Sequence, residues 1–211
     1  MRSAIVVWVA LALAGCGAAR KDDAPGPGGR DAAHADPAQE IRASFRARGQ
    51  AGLDRLQQSE MQQLCSRERP EQLPADVRHA LQAEALASVR YPEDGRWLGD
   101  WQRGEKIAQT ATGLQYSDPP EAPRGGGCYG CHRLSGTEVA YGTLGPSLYR
   151  YLERNGRSAD ELQRTWGRIW NAHAYNACSV MPRFGDAGIL TAEQIRDVMA
   201  LLFDPASPVN R

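Results

Sequence analysis

The chain has 211 residues, 25 basic and 25 acidic side chains, and five cysteines. The zero net charge argues against nucleic acid as a partner and gives no membrane-surface signal. The length suits one modest domain plus extensions. A wealth of Ala, Leu, Gln, Glu and Arg without long apolar alternation argues against a sheet and predicts an all-α chain.

Arg2 followed by the apolar run Ala4 to Ala14 is a secretory signal. The run is too short to span a bilayer, which needs about 20 residues. It ends in Leu13-Ala14-Gly15-Cys16, which looks like a bacterial lipobox. Cleavage before Cys16 leaves that cysteine N-terminal and acylated, so the protein is anchored to a membrane without crossing it. Ordinary cleavage nearby, with Cys16 removed, is the alternative. Residues 1–15 are therefore read as a lipoprotein-type signal peptide and 16–37 as a flexible tether. The tether is Ala, Gly, Pro and Asp with almost no large apolar side chain, and cannot bury enough surface to fold.

Residues 38–93 form a predicted helical extension. Ile41, Phe45, Leu53, Leu56, Met61 and Leu64 recur near helical spacing, interrupted by Gly49 and Gly52. Pro74 opens a further helix through Val77, Leu81 and Leu86 that closes before Tyr91-Pro92. The arginines of this region are mixed with acids and read as a solvated helix face.

Residues 94–211 form the predicted main domain. Asp100 caps a helix reaching about Thr110. Then comes Cys128-Tyr129-Gly130-Cys131-His132. C-x-x-C-H is the attachment signature of a c-type haem. Each thiol adds to one vinyl group of the porphyrin, and the adjoining histidine becomes the proximal iron ligand. Gly125, Gly126 and Gly127 would let the backbone approach a flat cofactor. A dithiol redox pair would want a βαβ context, and zinc a second ligand pair nearby; neither pattern is present. In Gly145-Pro146-Ser147-Leu148 the Pro146 carbonyl is placed to accept a hydrogen bond from the second nitrogen of His132, although a plain turn has the same sequence. Ser158 with Glu161, and Thr191 with Gln194, read as capping boxes of two more helices.

Four residues compete for the other side of the iron. Met181 lies between two helices, with Pro182 to stiffen its loop and Gly185 to let it turn. A thioether there would raise the reduction potential. Met199 falls on the apolar face of the last helix and reads as core. His173 could be a ligand, a surface residue or a support for the ligands, and Cys178 could bind as thiolate. In an oxidising compartment, however, Cys65 and Cys178 are the two spare cysteines and are expected to pair; buried free thiols are the alternative.

C-x-x-C-H, the Gly-Pro-x-Leu turn, the Met-Pro loop and the terminal amphipathic helix resemble the cytochrome c fold. More narrowly, YGTLGPSL at 141–148, WNAHAYNAC at 170–178, MPRFG at 181–185 and DPASPVN at 204–210 look like the SoxX family, the mono-haem subunit of the SoxAX complex of bacterial sulfur oxidation. The resemblance runs from about Ser59 to the C-terminus. It implies one covalent haem c on Cys128 and Cys131, with His132 and Met181 as axial ligands. It implies a SoxA-like partner in a heterodimer, which joins thiosulfate to a carrier-protein cysteine as an L-cysteine S-thiosulfotransferase. This chain would be the non-catalytic electron-transfer subunit, passing electrons to a soluble cytochrome c and meeting the sulfur carrier only indirectly. No catalytic residue is expected here. Members of that family are usually soluble in the periplasm, so the Cys16 lipobox departs from the pattern. A lipid-tethered mono-haem carrier of another respiratory chain is the competing reading.

Acylation of Cys16 places the protein in membrane fractions. Gly17 is not an acidic retention-like residue, which points toward the outer membrane. Intact-mass measurement should give a mature chain beginning at Cys16 and carrying acyl groups; a chain beginning after Cys16 would refute the anchor.

Overall fold

The computed structural model describes residues 36–67 and 72–211. The signal peptide, Cys16 and most of the tether lie outside the described residues. Within them the protein is all-α, as expected; one isolated bridge, Arg48 to Ala51, is the sole extended pairing among them.

Helix α1 (Pro37–Ser44) starts where Asp36 accepts the amide of Ala38, with proline pre-set at the first turn. It buries none of its residues, and Ile41 and Phe45 stand 45% and 53% exposed. The helical spacing read from Ile41 to Leu64 therefore does not describe one amphipathic face. Gly49 adopts a left-handed φ of 50° and the chain turns there, followed by a short 3₁₀ turn at Leu53–Leu56. This segment is fastened by polar contacts to the loop before the C-x-x-C-H motif. Arg48 lies 4.1 Å over the Tyr116 ring, the Gln50 amide donates to the carbonyls of Gln115 and Asp118, and Arg55 donates to the Leu114 carbonyl.

Helices α2 (Glu60–Arg67) and α3 (Ala75–Ala87) do reach the core. Met61, Leu81, Ala85 and Val89 belong to one buried cluster with Trp166, Phe184 and Leu201. Ser59 and Gln62 satisfy each other's amides at the start of α2, a reciprocal cap. Near its end Cys65 is joined to Cys178 by a disulfide, with Cα atoms 5.5 Å apart and a sequence separation of 113.

Helix α4 (Trp101–Gln109) begins where Asp100 accepts from the amides of Gln102 and Arg103. It crosses α7 (Ala192–Phe203), whose Thr191/Gln194 capping box is formed in full. The buried Asp197 of α7 binds Arg103 through both carboxylate oxygens at 2.8 Å and accepts the Asp100 amide at 2.8 Å. Between them lies α6 (Ala159–Trp170), preceded by a one-and-a-half-turn helix α5 (Tyr151–Asn155) that the sequence pattern did not announce. The Ser158 hydroxyl accepts the Glu161 amide, but Glu161 does not complete a capping box. Its carboxylate is buried, and it accepts from Tyr151 and Thr165 instead, a better outlet for a desolvated charge than a cap at the surface. The indole N–H groups of Trp166 and Trp170 donate to the Arg90 and Ser88 carbonyls, tying α6 to the end of α3.

The α4/α7 crossing closes at Gly104. A Cβ there would collide with the Asp197 carbonyl and come within 3.1 Å of the Leu201 Cβ. Gly104→Ala should therefore destabilise the protein. Overpacking against backbone costs about 1–3 kcal/mol, with the upper end applying to a rigid carbonyl, against at most ~1 kcal/mol gained in helix propensity. Thermal unfolding should show a lowered Tm; a raised Tm would mean the crossing is looser than its geometry.

Candidate haem site

Three backbone hydrogen bonds carry the chain from α4 into the C-x-x-C-H segment. The amides of Gly125, Gly126 and Gly127 donate to the carbonyls of Thr112, Ile107 and Thr110. The three glycines were expected to bring backbone against a flat cofactor. Two of them also answer to constraints within the chain: a Cβ on Gly125 would strike the Thr110 carbonyl at the end of α4, and Gly127 takes a left-handed φ of 58°. A 3₁₀ turn at Cys128–Gly130 follows, closed by the amides of Cys131 and His132 on the Cys128 carbonyl.

Residues 142–148 run beside this turn. The amides of Gly142, Gly145 and Leu148 donate to the carbonyls of Tyr129, Cys131 and Arg133. That ladder brings the Pro146 carbonyl to 2.7 Å from His132 Nδ1. A carbonyl only accepts, so Nδ1 holds the proton and Nε2 keeps its lone pair free for a metal. The His132 ring lies flat on Gly145, where any Cβ would occupy the space of the ring. Beyond His132 the Arg133 guanidinium sits 5.1 Å and 5.3 Å from the rings of Tyr141 and Tyr149. Glu138 accepts from the amides of Leu134 and Ser135, while its second carboxylate oxygen is buried without a partner.

Cys128 and Cys131 take no part in the disulfide, and burial pushes the Cys128 thiol up to about 11. A reactive dithiol needs the opposite, a thiolate stabilised near neutral pH. Among the described residues no three His, Cys, Asp or Glu side chains gather as a cation site, which leaves zinc without a ligand set. Two thiols on one turn, followed by a histidine whose tautomer is fixed and whose ring is seated against Gly145, fit a thioether-linked haem.

The four candidates for the opposite ligand separate. Met199 is fully buried inside α7, as core. Cys178 is in the disulfide and has no thiolate to offer. His173 is buried, with Nε2 3.1 Å from the Ser179 carbonyl; burial lowers its pKa, against that hydrogen bond, so it is neutral near pH 7. Met181 is half-buried in the wall of a cavity of about 650 Å³ that Gln62, Cys65, His173 and Ile189 also line. Its amide donates to Ser179 Oγ at 3.2 Å. Gly185 was expected to let the loop turn; its actual constraint is the Trp170 ring, which leaves no room for a side chain. The amides of Gly185 and Asp186 both donate to the Trp170 carbonyl, returning the loop to α6.

Residues 101–203 match the family model described as cytochrome c. Over 130 residues the chain is 38% identical to a protein of Aquifex aeolicus (strain VF5) described as an uncharacterized lipoprotein, a match that spans 61% of each chain. Residues 101–203 are thus similar to cytochrome c, a haem electron-transfer module, and the cofactor is haem c, covalently bound.

The His132 geometry can be tested at Gly145. Gly145→Ala must push the imidazole off the Pro146 carbonyl. Without that hydrogen bond the ring is a weaker donor to ferric iron, so the reduction potential should rise, by on the order of 40 mV for one ~1 kcal/mol hydrogen bond. Spectroelectrochemical titration reads the shift; no change would mean the ring keeps its place.

Proposed function

We propose that this cytochrome c domain serves as the electron-transfer subunit of a SoxAX-type sulfur-oxidation complex, held to a membrane in the periplasm by lipid on Cys16. In this reading Cys128 and Cys131 carry the thioether bonds, and His132 and Met181 are the axial ligands. The tether of 16–37 gives reach, and the extension of 38–93 covers the Met181 side of the domain of 94–211. Haem c supplies a one-electron ferric/ferrous couple when bound.

The protein's own residues keep that couple closed. The Pro146 carbonyl holds the His132 proton at Nδ1. The Cys65–Cys178 disulfide anchors the loop three residues before Met181. His132 and Met181 would hold the iron from the chain and leave no place for substrate, so the haem would supply one-electron transfer without bond-making. In this reading the sulfur chemistry belongs to a partner, whose reaction joins thiosulfate and a carrier-protein thiol by a sulfur–sulfur bond and releases one proton and two electrons. A soluble cytochrome c would be the acceptor of those electrons.

The observation that carries the reading is the set of four sequence blocks at 141–148, 170–178, 181–185 and 204–210. The lipoprotein description of the Aquifex relative supports the anchor. The second reading is a tethered mono-haem carrier of another respiratory chain, which the cytochrome c match and the lipoprotein description of the relative fit as well.

Purification of the tagged, haem-loaded protein from its native host should bring down a SoxA-like cytochrome in equal amount. The complex should reduce cytochrome c when thiosulfate and the carrier protein are supplied. Met181→His should retain covalent haem and partner binding but lower the potential, by on the order of 100 mV within the ~0.8 V that axial ligation commands, and slow that reduction. Electron carriage without a SoxA-like partner would favour the second reading. A lowered potential with an unchanged thiosulfate-dependent rate would remove this haem from the electron path.

A further inference from the structure

The loop bearing Met181 is held at two consecutive residues. The disulfide at Cys178 is one hold, and the other is at Ser179. There the partner of the carbonyl is His173 Nε2 at 3.1 Å, and because the carbonyl can only accept, Nε2 must donate. His173 is itself fixed from behind. The Asn171 side-chain oxygen accepts the His173 amide at 3.2 Å, and its amide group donates to Ser88 Oγ at 2.9 Å and to the Ala85 carbonyl at 3.4 Å. On the other side, Ser179 Oγ accepts the Met181 amide at 3.2 Å. One path of hydrogen bonds thus runs from α3 through Asn171, His173 and Ser179 to Met181.

His173 lines two cavities, of about 650 Å³ and about 180 Å³. Beside that space, the directional hydrogen bond helps to set where the carbonyl sits. An apolar side chain of similar volume would fill the place of the ring yet leave the Ser179 carbonyl without its donor.

We infer that His173 is a positioning residue whose Nε2–H fixes the Ser179 carbonyl and so holds the Met181 sulfur in place, closing the iron against outside ligands. This rests on the reading of Met181 as an axial ligand. His173 acts through the loop and is not itself a ligand. An external ligand such as cyanide must displace Met181, and that displacement becomes easier when the loop is free to move.

The test uses ferric, haem-loaded protein and cyanide titration of wild type, His173→Leu and His173→Gln. The leucine variant should bind cyanide about tenfold more tightly, the equilibrium factor for loss of one buried hydrogen bond, and should show a weakened sulfur-to-iron charge-transfer band. The glutamine variant, whose amide can reach Ser179, should stay near wild type in both. If His173→Leu does not assemble with haem, His173→Asn, too short to reach, takes its place against His173→Gln. Equal cyanide affinity in all proteins, with the charge-transfer band present, overturns the role of His173 and leaves Met181 as ligand. Equal weakening in the leucine and glutamine variants overturns it as well, since shape and not the donor would then matter. A wild type that lacks the band overturns the Met181 reading, and this inference with it.

Discussion

No side chain fits between α4 and α7 where they cross at Gly104, and the position of the cysteine turn follows from that crossing. Because no side chain separates the helices there, α4 is seated against the backbone of Asp197. The end of α4 then presents the carbonyls of Ile107 and Thr110 to Gly126 and Gly127, one residue before Cys128. From the other helix, the Gln194 side chain donates to the Arg124 carbonyl, so the lead-in to the turn is held by both partners of the crossing. A close crossing converts two short helices into a rigid frame, since interiors packed to this density transmit displacement instead of absorbing it.

The two faces of the site are built by different physics. On the His132 face the positions are set by backbone: three amides of 142–148 on three carbonyls of 129–133, with the Pro146 carbonyl as the last step. On the Met181 face the holds are side-chain and covalent, and two of them are tied to helices outside the segment that matches the cytochrome c family: Cys178 to Cys65 of α2, and Asn171, behind His173, to Ala85 and Ser88 at the end of α3. The N-terminal helices share one apolar cluster with α6 and α7. They are part of the wall of the site and not an appendage to it.

Which of these features could be read in the sequence depends on how local the governing interaction is. The C-x-x-C-H turn, the Pro146 acceptor, the Asp100 cap and the Thr191/Gln194 box are set within a few residues, and spacing alone exposes them. The role of Gly125 to Gly127 is set by a helix end fifteen or so residues earlier, and the fate of Glu161 by Tyr151 ten residues before it, so local pattern named the residues but not their partners. Ile41 and Phe45 show the opposite failure, since apolar spacing at helical period was present but no core lay opposite to receive it. His173 was visible as a titratable residue near the Met-Pro loop. Its hydrogen bond to a backbone carbonyl leaves no trace in a single sequence, because the acceptor is common to every residue type.

The Met181 face also had the greater need of such holds. A thioether is a weak donor to ferric iron, so in the proposed ligation the bond itself supplies little free energy to order the loop that brings it. Fixing one residue's backbone costs roughly 1–2 kcal/mol, and a free loop from 178 to 185 would set several such terms against one soft bond. The disulfide removes part of that cost from the folded protein by restricting the unfolded chain. His173 and the Trp170 carbonyl remove more by fixing Ser179, Gly185 and Asp186 as part of folding. The loop is thereby ordered before ligation, as binding sites generally gain affinity by preorganisation. In the proposed ligation the sulfur would be offered to ferric and ferrous iron in the same place, which is the condition for passing an electron with little rearrangement.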